Sequence, residues 1–595
     1  MIKLPAIFSD GMVINKNAKI WGWAQPGTEV EVVFFDKTRK VTTDDNGRFD
    51  AIIESEVYGG PHTLVIGDKI INDVYIGHVW LCGGQSNMEQ PISRARPLLD
   101  PYIKEAPQIR AFQVEKGMAF DAPRDDTNAC WKPATEGFLE EIFAVPFFFA
   151  QALELNTPIG LVNVAAGGTP AEGWLPEDII RTFPGFYERL EPYKTPGYVQ
   201  LKERESATPI AEWQRSFDDN DEGLKKGWHS REYDHSHWEE AMLLDNSNRP
   251  DHGSIWYRKD IYLPENIPDH VKLTLGRVVD SVKVYINGEL VISVDYQYPP
   301  CSGTIPKGLL QPGKNTVAIR AVGATNKHHF TPGKTYELSY EDSKISLLGP
   351  WKRRVGHTMP PAPAALWLYN VPSCVYNYMM APVLGYSIDG IIWYQGESNT
   401  SSPQGYKAVY EAFVGHMRMH FGDVPVIFTQ LANFVDPAGN GQNWAELREE
   451  QRQCLEIENT AMAVTIDCGE YNDLHPQDKK TVGERLALAA KSLAYGKNIP
   501  YSGPIAKSAA MMNGKITINF LHGEGLWAKH GRPVVEVIDS NDISHHLVGI
   551  IEDEILLVKI GGLEAKKARF AWADCPTVVL YNAHGLPASP FEINL

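Results

Sequence analysis

Cysteine is scarce in this chain of 595 residues, and badly spaced for chemistry. Cys82, Cys130, Cys301, Cys374, Cys454, Cys468 and Cys575 make an odd number without a C-x-x-C pair, so redox and zinc sites are disfavoured and free thiols in a reducing compartment are expected. Long apolar runs are also missing. None reaches the roughly 18 to 20 residues of a spanning helix, and Met1-Ile2-Lys3-Leu4-Pro5 passes straight into strand-like sequence without a signal-peptide core. As written, the sequence reads as cytoplasmic, or as periplasmic or extracellular if a signal segment has been removed. Lys and Arg number 56 against 74 Asp and Glu, a formal charge of -18 with no basic cluster. Nucleic acid and anionic membranes are therefore poor partners. No H-E-x-x-H, P-loop or dinucleotide fingerprint occurs. His229, His235 and His237 in "WHSREYDHSHW" fit no zinc spacing, and the pairs His328-His329 and His545-His546 read as surface or turn residues. No metal or cofactor is expected.

What is present is a folded, turn-rich composition: 43% hydrophobic, 50 Gly, 41 Pro and 10% aromatic. The length exceeds one core and implies about three to five domains. Residues 1–74 alternate in short runs such as "EVEVVFF" and "HTLVIG" broken by Pro-Gly and Asn-Gly, which predicts an N-terminal β-sandwich.

From about residue 75 the pattern changes. "DVYIGHVWLCGG", "PIGLVNVAAGG", "SIDGIIWYQGES", "VPVIFTQLAN" and "AMAVTIDCGE" are apolar runs ending in Gly, Ser, Asn or Asp, with helical periods such as "GYKAVYEAFVGHMRMHF" and "TVGERLALAAKSLAYG" between several of them. That alternation predicts a parallel sheet with helices on both faces, in two pieces, 75–210 and 345–500. Ligands of such sheets sit at the carboxyl ends of the strands, so the five polar tails are expected to meet. Residues 211–344 interrupt with β-type sequence, including an Asn287-Gly288 hairpin signal, and predict an inserted sandwich. A C-terminal β domain is expected over 505–595.

The stretch "VWLCGGQSNMEQPI" (79–92) leaves an apolar run, turns on Gly83 and Gly84, and presents Ser86. One reading is a strand-to-helix connection with Ser86 as helix cap. The other is a nucleophile whose oxyanion is supported by the helix dipole and backbone N–H groups. "YNDLHPQDKK" offers His475 as its base, with Asp473 in the same loop to orient the ring. "WYQGESN" offers Gln395 as an oxyanion donor and Glu397 as an alternative acid. In "AAGGTPAEGW" the backbone N–H of Gly168 is a third candidate donor, because glycine permits close approach.

"LCGGQSNMEQPI", "GGTPAEGWL", "VYNYMMAPVLGYSIDGIIWYQGESNT" and "NDLHPQDKKTVGERLALAA" together resemble the sialate O-acetylesterase family, carbohydrate esterases of the SGNH-hydrolase type. The likeness implies a three-layer α/β/α catalytic domain with a parallel sheet, flanked by N- and C-terminal β domains. It also implies Ser86 as nucleophile, His475 as base and then acid, Asp473 as orienting acid, and Ser86 N–H, Gly168 N–H and Gln395 as the oxyanion hole. SGNH hydrolases place the acid three residues before the histidine, and that position here is Asn472. The insertion resembles the jelly-roll sugar-binding domains of β-galactosidase-like glycosidases through "SIWYRKDIYLP", "VYINGELV" and "LLQPGKNTVAIRAV". The expected substrate is an O-acetylated sugar, sialic acid first; an acetylxylan or other polysaccharide acetylesterase and a non-catalytic carbohydrate-binding protein are the alternatives.

Overall fold

The computed structural model describes residues 1–247, 249–296, 300–340, 343–435, 443–529 and 531–595. The chain forms two compact units. The first takes Met1–Thr195 together with the described residues from Leu368 onward, and the second is Pro196–Trp367.

The first unit is organised by a seven-stranded sheet. Its strands, numbered here in chain order, are β1 (His78–Gly84), β2 (Ala106–Gln113), β3 (Trp131–Ala134), β4 (Ile159–Ala165), β5 (Gly390–Tyr394), β6 (Val426–Thr429) and β7 (Thr460–Ala463). Their spatial order is β3-β2-β4-β1-β5-β6-β7. All neighbours are parallel except β3, which pairs antiparallel with β2. The unbroken apolar runs have a direct cause: successive side chains point to opposite faces and both faces are covered. On β1, Val79 and Leu81 enter one buried cluster while Trp80 and Cys82 enter another, and Ile391 and Ile392 divide in the same way on β5.

Helices supply the cover. They are α1 (Ser86–Glu89), α2 (Ala144–Leu153), α3 (Tyr406–Phe421), α4 (Trp444–Gln453) and α5 (Lys479–Leu493). Helices α2 and α5 cross so closely that a β-carbon on Gly483 would lie 2.6 Å from the backbone nitrogen of Phe149. On the other face Tyr406, Tyr410 and Phe413 of α3 pack into the cluster that holds Val79.

Two β portions complete this unit. In the N-terminal portion a five-stranded sheet accompanies the pair Asn17–Trp23 and Arg48–Glu54. Its buried Ile20, Trp21, Val32 and Leu64 share one cluster with Val79 and Leu81, so it has no core of its own. The C-terminal portion has a seven-stranded antiparallel sheet with a separate core around Ile518, Val537 and Phe591. Buried Arg448 joins it to the α/β part, donating to the carbonyls of Leu431 and Ala432 on one side and of Ala573 and Asp574 on the other at 2.8 to 2.9 Å.

The second unit opens with the helix Tyr198–Asn220 and contains a six-stranded and a four-stranded antiparallel sheet over one core. Asn287 (φ 50) and Gly288 (φ 95) turn the hairpin between Ser281–Ile286 and Glu289–Val294, as their sequence predicts. The strand Pro350–Thr358 belongs to this unit because it pairs with Gly253–Leu263. Among the described residues no helix is long and apolar enough to cross a membrane.

Candidate functional site

Strand register builds the site. Gly84, the last residue of β1, stands opposite Ala165 of β4 and Tyr394 of β5. The residues that follow each of them, Gln85-Ser86, Ala166-Gly167-Gly168 and Gln395-Gly396, therefore emerge side by side at the carboxyl edge. The central strand β1 is also where the chain turns from one half of the sheet to the other, the place where open α/β sheets bind ligands.

The two glycines before Gln85 answer a steric demand. A β-carbon on Gly83 would lie 2.6 Å from the Trp393 ring, and one on Gly84 would lie 2.1 Å from the carbonyl oxygen of Tyr394. Gly84 also has φ 137, a conformation other residues rarely adopt. The chain then enters α1 with Gln85, not Ser86, at the cap position, and without a side-chain cap. The capping reading of Ser86 is thereby corrected: Ser86 is the first helical residue, with its N–H among those that have no partner inside the helix.

Gln85, 2% exposed, is a structural post. Its Oε1 accepts from the backbone N–H of Gly396 and Ser398 and from Nε2 of Gln395, each at 3.3 Å. Gln395 is held in turn by the Tyr406 hydroxyl on its Oε1 (2.9 Å), and its Nε2 also donates to Thr169 O (3.2 Å) and Asn399 Oδ1 (2.7 Å). Its amide hydrogens thus brace the loop in this arrangement. Gly168 has φ 72 in the turn after β4, and Thr169 closes that turn by donating to Ala166 O at 2.7 Å.

His475 and Asp473 lie in the loop between β7 and α5, 6% and 5% exposed. Asp473 Oδ1 accepts the backbone N–H of His475 at 3.0 Å, a side-chain-to-backbone turn that fixes the backbone at His475. Asn87, the residue after Ser86, reaches this loop and donates from Nδ2 to the carbonyl of Leu474 at 3.1 Å. It also donates to Glu397 Oε1. The second oxygen of Glu397 has no hydrogen-bond partner among the described residues, and burial raises its carboxyl above the ordinary glutamate range.

The residues expected from sequence are thus gathered at one edge: Ser86, Gly168, Gln395, Glu397 and the His475 loop. Asn87, Asn399 and Lys479 are additional members of the network, and each lay within a stretch already singled out. Elsewhere His235 stands 3.7 Å from Asp260 and His237 accepts from Arg354 at 3.0 Å. His328 is buried, contrary to its surface reading, because it packs on Tyr257 and Phe330.

Residues 367–492 match the family described as carbohydrate esterase, sialic acid-specific acetylesterase. The matched span contains Gln395, Glu397, Asp473 and His475. Mouse sialate O-acetylesterase is 25% identical over 645 residues, covering 98% of this chain and 92% of that protein. The human sialate O-acetylesterase is 26% identical over 254 residues, covering 37% of this chain and 48% of that protein. A carbohydrate acetylesterase structure from Xanthomonas citri superposes over 100% of this chain and 99% of its own, with TM-score 0.65 and 23% identity, a likeness of fold. The chain is accordingly a carboxylic ester hydrolase of multi-domain mixed α/β fold. Its resemblance to the sialate O-acetylesterases, read from four motifs, is borne out.

Proposed function

We propose that the chain is a serine esterase that hydrolyses O-acetyl groups on sialic acid through an acetyl-enzyme intermediate. The observation that carries this reading is the register of β4, β1 and β5, which sets Gly168, Ser86 and Gln395 side by side while Asn87 holds the loop of His475. In the mechanism His475 takes the proton of the Ser86 hydroxyl as the oxygen attacks the acetyl carbonyl. The N–H groups of Ser86 and Gly168 receive the oxyanion, and Gln395 joins them by exchanging one of its present acceptors. His475 then gives its proton to the departing sugar oxygen. Water attacks the acetyl-enzyme by the same route, releasing acetate and restoring Ser86. Asp473 orients His475 in this scheme, with Glu397 as the alternative acid.

The α/β part is assigned to the SGNH type on the same motifs, and the segment 211–344 to an inserted jelly roll. The partition proposed from sequence is 1–74, 75–210 with 345–500, 211–344 and 505–595, with the limits of the insert moved out to 196 and 367 because Pro350–Thr358 pairs with Gly253–Leu263 inside it. No nucleic acid, membrane, metal or cofactor enters the proposal. The test is acetate release from O-acetylated N-acetylneuraminic acid and from acetylated xylo-oligosaccharides, by wild type and Ser86→Ala. Release from the sialic acid that falls by about four or more orders of magnitude in Ser86→Ala supports the proposal. Preference for the xylo-oligosaccharide reassigns the substrate. No Ser86-dependent release from either leaves a carbohydrate-binding protein.

A further inference from the structure

Lys479 is a cation in an unfavourable place. It is the first residue of α5, at the positive end of the helix dipole, and it is 0% exposed. Burial pulls its ammonium down to about 8, against the opposing influence of the carboxylates of Glu397, Asp473, Glu470 and Asp478. A methionine would fill nearly the same volume without the desolvation penalty. Packing alone gives no reason for a charge here.

The contacts of Lys479 do give one. Its Nζ donates to Oδ1 of Asn87 at 2.5 Å and lies 5.8 Å from the centre of the Tyr394 ring. With an ammonium on Oδ1 the amide of Asn87 has one allowed orientation, because the ammonium has no acceptor to offer the NH₂ group. Its two hydrogens must then face Glu397 Oε1 and Leu474 O, as observed. One amide thereby ties together the residue after Ser86, the loop after β5 and the residue before His475. Glu397, Leu474 and Lys479 lie 310, 387 and 392 residues from Asn87 in the chain, so nothing local to Asn87 imposes the arrangement.

We infer that Lys479 is a positioning residue of the esterase: by orienting Asn87 it fixes the Ser86 turn against the His475 loop. The inference rests on the serine-esterase reading above. A neutral amine has a lone pair and no longer dictates which end of the amide it meets, so the clamp depends on the charge of Lys479. The groups facing that charge are Asn87, Tyr394, Glu397, Asp473, Glu470 and Asp478.

The test measures kcat and KM for an O-acetylated N-acetylneuraminic acid from about pH 6 to 9.5, on full-length wild type, Lys479→Met, Asn87→Ala, their double variant, Glu397→Gln and Ser86→Ala. Lys479→Met is expected to lower kcat about 10- to 100-fold with KM within about twofold, and to remove the alkaline fall of kcat/KM above about pH 8. Its thermal midpoint should be unchanged or higher. The double variant should be no slower than the slower single variant, since both act through one amide. Glu397→Gln removes a carboxylate that favours the charged lysine and should move the alkaline limb to lower pH. Wild-type kcat with an unchanged alkaline limb in Lys479→Met, or losses that multiply in the double variant, overturns the inference. If Lys479→Met does not fold, an unmoved limb in Glu397→Gln overturns it equally. Absence of Ser86-dependent acetate release by wild type instead removes the esterase reading, and the inference with it.

Discussion

A β-carbon on Gly167 would lie 3.2 Å from the β-carbon of Ser86. The second segment of the site thus runs close beside the side chain of Ser86, leaving no room for a methyl group between them. The same added carbon would meet Glu89 Oε1 at 2.6 Å, and that carboxylate is held by Lys116 at 2.9 Å. The glutamate tip can swing aside, but the β-carbon of Ser86 is fixed by α1. Gly167→Ala is therefore expected to lower kcat/KM about 10- to 100-fold through displacement of the Ser86 turn, while the thermal midpoint changes by only a few degrees. Steady-state kinetics beside a melting curve checks it, and wild-type kcat/KM would show that the turn is not under steric control.

The orienting acid of the proposed mechanism is open to a direct comparison. Asp473 already accepts the backbone N–H of His475, and its amide counterpart keeps that oxygen. Glu397 is engaged by Asn87. Asp473→Asn is expected to reduce kcat by roughly three to four orders of magnitude, and Glu397→Gln by about tenfold or less. The reverse order of damage identifies Glu397 as the orienting acid.

How far the sequence showed this site depends on which interactions are local. Strand identity was readable because Val79-Trp80-Leu81-Cys82 is apolar at every position, which only burial of both faces explains. Those strands place Ser86, Gly168 and Gln395 together by register alone. The hairpin at Asn287-Gly288 was readable because its conformation is a property of two residues. Lys479 was not. In "DLHPQDKKTVGERL" it looks like a solvated lysine at a helix start, and the partner that explains its burial, Asn87, is 392 residues away. The helix Tyr198–Asn220 has a polar sequence that carries no mark of the unit it joins.

Arg448 provides a stability prediction at the junction with the C-terminal β portion. Its guanidinium donates to four backbone carbonyls drawn from residues 431–432 and 573–574. Arg448→Met would leave those acceptors buried and unpaired, a loss of about 3 to 5 kcal/mol. Arg448→Lys keeps a charge but lacks the fork needed to reach them all, and should fall between. A lower thermal midpoint, with faster proteolysis near residues 573–574, is the expected result. An unshifted midpoint in Arg448→Met would mean that the junction holds without its central donor.

The second unit should lose stability in acid through His328. The ring is buried, with Nε2 3.2 Å from the Tyr257 hydroxyl and Nδ1 3.0 Å from Val279 O. Burial holds it neutral and pushes its pKa down to about 3, far below the ordinary imidazole value of about 6.5. Between those values the unfolded chain binds a proton that the folded unit refuses. Its contribution to stability is therefore complete above about pH 6.5 and falls as the pH drops toward 3, at up to about 1.4 kcal/mol per pH unit. His329, also lowered by burial, adds a slope of the same sign. Hydrogen exchange followed by mass spectrometry on the strand Gly313–Gly323 reads this unit within the full chain. Protection in wild type should decrease steadily between about pH 6.5 and 4.5 after correction for intrinsic exchange. His328→Gln removes the titrating ring, so its protection should change less over the same interval, whatever its level at neutral pH. Equal slopes in the two proteins would show that the acid sensitivity of the unit arises elsewhere.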